Sequence, residues 1–291
     1  MKDPAADRRA PVDPTRLAWS GGTWAELREP ASSVRRAVFV EEMKVPEAID
    51  FDGTDDDSHH LVVRLDGRPA GTGRIRPIEA RIGRVAVLRE ARGLGLGRAI
   101  VQRLVYEAIR LGLRRVCLHA QEQAIGFYEA LGFVAEGPAF DEAEIPHRFM
   151  QRDLVWKNAV AALIVREGRL LLGRRTPGTL MGGLWDLFGG KLEPGEDDPT
   201  ALVRELREEL SIEARIGEPL EVCLYDDPRD GSVFRSPVFV VNEWSGEIVL
   251  NPEHTEVGWF APVEVASLPL AHPDIPRLLA RRLGAERDRR A

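Results

Sequence analysis

Cysteine is scarce: the 291-residue chain has two, Cys117 and Cys223. Both fall in apolar, strand-like runs of what the pattern divides into different domains. That excludes a disulfide framework and predicts buried free thiols in a reducing, cytoplasmic setting. Long apolar runs are missing too, and none approaches the roughly 20 residues that span a bilayer. The opening stretch MKDPAADRRAPVDP lacks the apolar region of a secretory leader and reads as a disordered lead-in. Nor is there an excess of positive charge, since 40 Lys and Arg face 47 Asp and Glu for a net −7. This balance argues against broad nucleic-acid binding, yet admits a nucleotide whose charge a metal carries. What is present, 44% hydrophobic and 30% charged residues, suits two globular domains, each with its own core.

The most informative stretch is GKLEPGEDDPTALVRELREELSI, residues 190–212. Asp198 is expected to cap a helix whose first position is Pro199. Leu202, Leu206 and Leu210 recur every fourth residue and make a core-facing stripe. Glu205, Glu208 and Glu209 share the adjacent face at i, i+3 and i+4. Such a face is either a solvated surface with pairs such as Arg204–Glu208, or a cradle for a hard divalent cation.

Gly190, Glu196 and then Arg204-Glu205-Leu206-Arg207-Glu208-Glu209-Leu210-Ser211-Ile212 resemble the Nudix hydrolase signature. Every fixed position matches except the last glycine, which is Ser211, at a cost of about 1 kcal/mol in helix-end stability. The resemblance implies Mg2+ or Mn2+ held by Glu208 and Glu209, with Glu205 as a further ligand or the base, oriented by Arg204. The Gly189 carbonyl would complete the shell, with Glu196 acting nearby through water or a salt bridge. Glu253, in a late loop, is the second candidate base, and Arg174 and Arg175 would contact substrate phosphates. The implied reaction is metal-assisted cleavage of a pyrophosphate, MutT-like, on an NTP or dNTP, ADP-ribose or a nucleotide sugar. His272 stands where relatives that read oxidised guanine carry Asn. Further strands are expected over 159–165, 169–173, 220–225, 233–242 and 247–250, and a last helix over 276–283.

The first half opens with an expected strand over 17–19, helices over 24–27 and 33–42, and a hairpin of 60–65 with 70–75. Asp50-Phe51-Asp52-Gly53-Thr54 spells a phosphotransfer motif, but Pro46 and Glu47 make a poor central strand before it, so an acidic turn is the better reading. Asp55–Asp57 with His59 and His60 suggests a metal site less well than a strand start. Next come an apolar strand at 83–87, the turn Arg92-Gly93-Leu94-Gly95-Leu96-Gly97, and a helix with Ile100, Leu104, Ala108 and Leu111 on one side. Glycines at a helix N-terminus let phosphate approach free N–H groups. Gly112 is the expected C-terminal cap.

Together, Arg92-x-x-Gly95-x-Gly97 and Tyr128…Gly132-Phe133 look like a GCN5-related N-acetyltransferase (GNAT), of the branch with ElaA-like proteins. The resemblance implies an acetyl-CoA site at Val87, Arg92, Gly93, Leu94, Gly95, Leu96, Gly97 and Arg98. It also implies that Tyr128 protonates the departing thiolate. Gln121 stands where many members have Asn. Arg103, Arg110, Arg114 and Arg115 are either 3′-phosphate contacts or a solvated face. Candidate bases are Glu41, Asp50, His60 and His119, and the amine acceptor is not readable.

The fold expected is α/β (α+β): a GNAT-type mixed sheet flanked by helices over 16–154, then a Nudix α/β/α sandwich over 157–285. Residues 1–15 are the lead-in and 286–291 a tail. The reading is a bifunctional enzyme with no membrane or nucleic-acid partner, and it allows a homodimer. The alternative is an active hydrolase whose first domain only binds acetyl-CoA as a sensor or scaffold.

Overall fold

A computed structural model describes residues 13–227 and 229–290, with the backbone alone for 286–290. The chain divides into two compact units between Val155 and Trp156.

The first unit is a seven-stranded mixed sheet with helices. Its elements run β1 (Leu17–Gly22), α1 (Trp24–Arg35), α2 (Glu47–Asp50), β2 (His59–Leu65), β3 (Arg68–Arg76) and β4 (Arg81–Val87). There follow α3 (Leu96–Arg110), β5 (Arg115–Gln121), α4 (Ile125–Glu129), β6 (Val134–Glu142) and β7 (Ile145–Asp153). The strand order is β1-β2-β3-β4-β5-β7-β6. Most of the lead-in, residues 1–12, lies outside the described residues, but its end is ordered: Asp13 caps a short 3-10 turn over Pro14–Arg16. The apolar side of α3 buries Ile100, Leu104 and Ala108, and Gly112 follows the helix with φ 78°.

One pairing shapes this unit. Strands β4 and β5 are parallel and meet at a single bridge, Arg81 to Cys117. Beyond it they share no ladder, so their C-terminal ends stand apart and open a cleft between them.

The second unit holds β8 (Trp156–Asn158), β9 (Ala161–Arg166), β10 (Arg169–Arg175), β11 (Trp185–Asp186) and α5 (Asp198–Leu210). Next are β12 (Glu213–Asp226), β13 (Val233–Ser245), β14 (His254–Phe260), α6 (Pro262–Val265) and α7 (Ile275–Arg290). The main path is β11-β10-β9-β13-β12, with β14 on β10 and β8 on β13. Leu202, Leu206 and Leu210 of α5 pack on one sheet face with Ala162, Ile164 and Phe239. On the other face, Ile275, Leu278 and Leu279 of α7 meet Leu163, Leu170 and Val238. These are the two sides of the α/β/α sandwich.

Three local expectations are corrected. The cap of α5 is Asp197, whose carboxylate accepts the Thr200 N–H at 2.9 Å, so Asp198 and Pro199 lie inside the helix. Residues 247–250 are not a strand. The Val249 and Asn251 amides instead bond the Leu210 and Glu209 carbonyls at 3.0 and 3.1 Å, satisfying groups the end of α5 leaves open. The last helix runs on to Arg290, so most of the expected tail has helical backbone.

Ser211 ends α5 in the left-handed region, at φ 57° and ψ 30°. A side chain there is strained, so Ser211→Gly is expected to stabilise this unit by about 1 kcal/mol. Thermal denaturation would show a rise of about 4 °C; an unchanged or lower midpoint would count against the strain.

Candidate functional site

In the second unit the turn into α5 and the helix face behind it meet at a cleft of about 680 Å³. Two successive glycines are required there. Gly189 has φ 143°, and a Cβ on it would press against the Val160 carbonyl. A Cβ on Gly190 would lie 2.6 Å from Glu205 Oε2, so this glycine lets the carboxylate rest against the backbone. The Gly189 N–H donates to Glu209 Oε2 at 2.8 Å. The Phe188 and Gly190 carbonyls accept from Ala162 and Val160, both at 2.8 Å. Among the described residues no backbone N–H reaches the Gly189 carbonyl.

The four acids expected at the metal are not equivalent. Glu209 is 2% exposed. Burial, then the neighbouring Glu205 and Glu253, push its carboxyl up to about 8 against the Gly189 hydrogen bond. Glu205 lines the cleft and is also raised, mainly by burial, although Arg204 donates to it at 3.0 Å. Glu208 is exposed and lies 3.4 Å from Arg204. Glu196 is engaged in a salt bridge: Arg204 donates to both its oxygens at 2.9 and 3.0 Å, and the Glu193 N–H bonds it at 2.8 Å. Its place is to hold Arg204. Glu253 faces the same cleft, with Arg175 3.9 Å away. The two arginines also differ. Arg175 lines the cleft, whereas Arg174 turns out to Glu256 at 3.0 Å, the two being separated by a β-bulge in the β10–β14 ladder. Arg174 is therefore not a cleft residue.

Among the described residues no group of three or more His, Cys, Asp or Glu stands assembled as a metal cage. The donors nevertheless fit a hard divalent cation. Burial, and then neighbouring carboxylates, raise the proton affinity of Glu209 and Glu205, which is the strain a cation relieves. Glu205, Glu209, Glu208 and the Gly189 carbonyl would hold it.

Sequence reasoning missed much of the far end of this cleft. Asp186 is 8% exposed, raised by burial, and lies 3.9 Å from His272. Tyr225 stacks on Phe234 at 5.0 Å and sits 4.4 Å from the His272 ring. An aromatic plate beside buried hydrogen-bonding groups suits a nucleobase. His254 lies behind Glu209, its Nδ1 3.8 Å from Glu209 Oε1; among the described residues neither buried ring nitrogen has a hydrogen-bond partner, and burial lowers it to about 4.

In the first unit the diverging strands β4 and β5 line a cleft of about 890 Å³, together with the glycine turn and Tyr128. Gly93 and Gly95 take φ 79° and 80°, and Gly95 caps α3. Helix geometry leaves the N–H groups of Leu96, Gly97 and Arg98 without intrahelical acceptors, a ready anion site. Of the expected CoA residues, Val87, Arg92, Gly93, Gly95, Leu96, Gly97 and Arg98 line this cleft, and Leu94 does not. The Arg92 guanidinium is already engaged: it donates to both Glu42 oxygens at 2.8 Å and to the Val87 carbonyl at 3.0 Å. It braces the turn, and the backbone amides are left for a phosphate. Gln121 lines the cleft, its amide oxygen taken by Gln123 at 3.0 Å. The Tyr128 hydroxyl is pushed by burial to about 12, so it keeps its proton at neutral pH.

Two of the candidate bases are spoken for. Asp50 accepts from Arg35 at 3.0 Å and pairs with Arg84 at 3.0 Å. His60 bonds the Asp55 carbonyl at 3.0 Å, packs on Trp24, and is lowered by burial. Glu41 does not line the cleft, whereas His119 does. None of Arg103, Arg110, Arg114 and Arg115 lines it. Arg103 lies over Trp19 at 4.2 Å, Arg110 pairs with Glu107 and Arg115 with Asp153.

Known proteins divide the chain in the same way. The NUDIX domain model matches residues 155–282, and the acetyltransferase (GNAT) family model matches 24–133. The CTP pyrophosphohydrolase of Escherichia coli (strain K12) is 41% identical over 121 residues, 42% of this chain and 87% of that protein. An uncharacterized N-acetyltransferase of Bacillus subtilis (strain 168), YjcF, is 35% identical over 131 residues, 44% of this chain and 94% of that protein. The crystal structure of an acyl-CoA N-acyltransferase from Pseudomonas aeruginosa is 35% identical and covers 47% of this chain and 99% of its own, with a TM-score of 0.44. No helix among the described residues is long and apolar enough to cross a membrane. With sequence, fold and clefts in agreement, the chain belongs to the GNAT acetyltransferase family through its first unit and to the Nudix hydrolases through its second.

Proposed function

We propose that the chain is a bifunctional enzyme: a Mg2+- or Mn2+-dependent nucleoside triphosphate pyrophosphohydrolase joined to an acetyl-CoA-dependent N-acetyltransferase. The observation that carries the first activity is the crowd of raised carboxyls, Glu205 and Glu209, behind a cleft whose other end is the Tyr225–Phe234–His272 plate. A bound divalent ion would neutralise phosphate charge and lower the pKa of an attacking water. The chain's own groups do the rest. Arg175 meets phosphate charge in the cleft. Glu205 or Glu253 takes the proton of the water, and Arg204, itself held by Glu196, fixes the Glu205 carboxylate. Asp186 and His272 face the exocyclic groups of the base. The similarity to a CTP pyrophosphohydrolase makes CTP the first substrate to test.

The acetyltransferase reading is supported by the separated β4 and β5 strands, the open amides at the start of α3, and a protonated Tyr128 in the same cleft. Amide formation at the acetyl carbon releases a thiolate, which Tyr128 protonates.

The test is a Mg2+ or Mn2+ hydrolysis panel of CTP, other NTPs and dNTPs, ADP-ribose, a nucleotide sugar and CoA, with a thermal shift against acetyl-CoA alongside. Triphosphate hydrolysis led by CTP, and stabilisation by millimolar acetyl-CoA, are expected. Preference for ADP-ribose or a sugar nucleotide would overturn the substrate; no shift would overturn acetyl-CoA binding.

A further inference from the structure

Besides Tyr128, the acetyl-CoA cleft contains a pair of proton-handling groups, contributed by β5 and β6. His119 Nδ1 lies 2.6 Å from Glu142 Oε2, and both residues line the cleft that holds Tyr128. An ionised carboxylate only accepts hydrogen bonds, so Nδ1 must carry the ring proton. The Glu142 carboxyl is lowered chiefly by that hydrogen bond, against burial, so it is ionised at neutral pH. A neutral His119 is thereby held as the Nδ1–H tautomer, with the lone pair on Nε2. Among the described residues no hydrogen-bond donor meets that nitrogen. The ring is also fixed in angle: Phe140 stands edge-on to it at 4.9 Å and Phe149 at 6.3 Å. These aromatics and Glu142 come from β6 and β7, the strands paired beside β5. An imidazole oriented in this way, partly open to the cleft, has the arrangement of a general base rather than of a packed core histidine.

We propose that His119 is the proton acceptor for the amine substrate of the acetyltransferase unit and that Glu142 is the positioning residue that sets its tautomer. The proposal rests on the acetyl-CoA reading given above. In the reaction the amine nitrogen bonds to the acetyl carbon and gives its proton to His119 Nε2. The carbon–sulfur bond breaks, and the thiolate takes the Tyr128 hydroxyl proton. Solvent then returns one proton from His119 to Tyr128, so the cycle closes without another reactant.

Long-range 1H–15N correlation of the histidine rings tests the arrangement without knowing the acceptor. At a pH well above the ordinary imidazole range, His119 should appear as the Nδ1–H form, the minority tautomer of free histidine. Glu142→Leu should return it to the Nε2–H form that free histidine prefers, because no acceptor is left at Nδ1. Acetyl-CoA should shift the His119 signals. Water serves as the probe acceptor for rate: acetyl-CoA hydrolysis, followed as thiol release, should fall on the order of 100-fold in His119→Asn. Calorimetric affinity for acetyl-CoA should stay unchanged in that variant. An Nε2–H tautomer in the wild type, wild-type hydrolysis by His119→Asn, or no detectable thiol release from the wild type would each overturn the proposal. Absence of acetyl-CoA binding to a wild type that still shows the Nδ1–H form would instead overturn the acetyl-CoA reading, and the proposal with it.

Discussion

Glu209→Gln should abolish metal-dependent pyrophosphate hydrolysis, with a loss on the order of 1,000-fold or more, worth about 4 kcal/mol of barrier. Glutamine keeps the shape and can still accept the Gly189 N–H, so the turn should survive while the charge that would hold the cation is gone. The same substitution has an opposite effect on stability. Glu209 is raised to about 8 in the fold, against an ordinary value of 4.5. Its stability contribution is therefore complete below about pH 4.5. It is lost as pH rises towards and through about 8, because the unfolded chain ionises freely and the buried carboxyl does not. Chelator-treated wild type should become less stable across that window, by on the order of a few kcal/mol. Glu209→Gln should show a flatter profile, and added Mg2+ should restore the wild type alone. Thermal denaturation from pH 5 to 9 in EDTA reads this, and retained hydrolysis in Glu209→Gln would remove Glu209 from the site.

Arg35→Met should cost the first unit about 3–5 kcal/mol. Arg35 is 1% exposed and donates to Asp50 Oδ2 at 3.0 Å, Asp55 Oδ1 at 2.7 Å and the Asp50 carbonyl at 2.6 Å. Arg74 and Arg84 also serve these acids, and both reach Asp52 as well. Three guanidinium groups thus balance three carboxylates, and the acids respond differently. Burial raises Asp55, but Arg35 and Arg74 outweigh it and leave the group lowered, whereas Asp50 stays raised because its partners do not fully offset burial. Without Arg35, two buried carboxylates compete for the remaining cations. A loss of this size is a large share of the 5–15 kcal/mol that ordinarily holds a domain. Arg35→Lys should fall between, since an ammonium supplies charge but not the fork that spans two acids. Urea denaturation of the variants measures both, and a loss below about 1 kcal/mol for Arg35→Met would mean the cluster is stabilised by the other two arginines alone. The consequence reaches the cleft of the first unit because Arg84, which lines it, is anchored to Asp50 and Asp52 by this cluster.

The phosphotransfer-like Asp50-Phe51-Asp52-Gly53-Thr54 shows why that cluster was hidden. As a string it is an acidic turn, and nothing near it announces a counter-charge. Arg35 lies on α1 and Arg74 on β3, and packing alone brings them to Asp55. The same limit applies to Arg174 and Arg175. Adjacent in the chain, they are separated by a β-bulge, and only Arg175 faces the cleft. Glu196 keeps its signature spacing, but its oxygens are spent on Arg204, a use that depends on how the turn folds back on the helix. Residues 247–250 have strand-like composition, yet the Val249 amide, and that of Asn251 just beyond, go to the open carbonyls of α5.

What the sequence determined by itself is what local periodicity and sterics dictate. The four-residue recurrence of Leu202, Leu206 and Leu210 put one face of α5 in a core and placed Glu205, Glu208 and Glu209 beside it. Gly189 and Gly190 marked a turn where a side chain cannot fit, and Gly93 and Gly95 marked a helix start with free amides. Tertiary structure decided which of those groups meet. It buried Glu209 and left Glu208 in solvent, brought Glu253 from a distant loop to the cleft, and turned His119 against Glu142. Those outcomes depend on desolvation and on pairings between remote strands, neither of which leaves a local pattern in the chain.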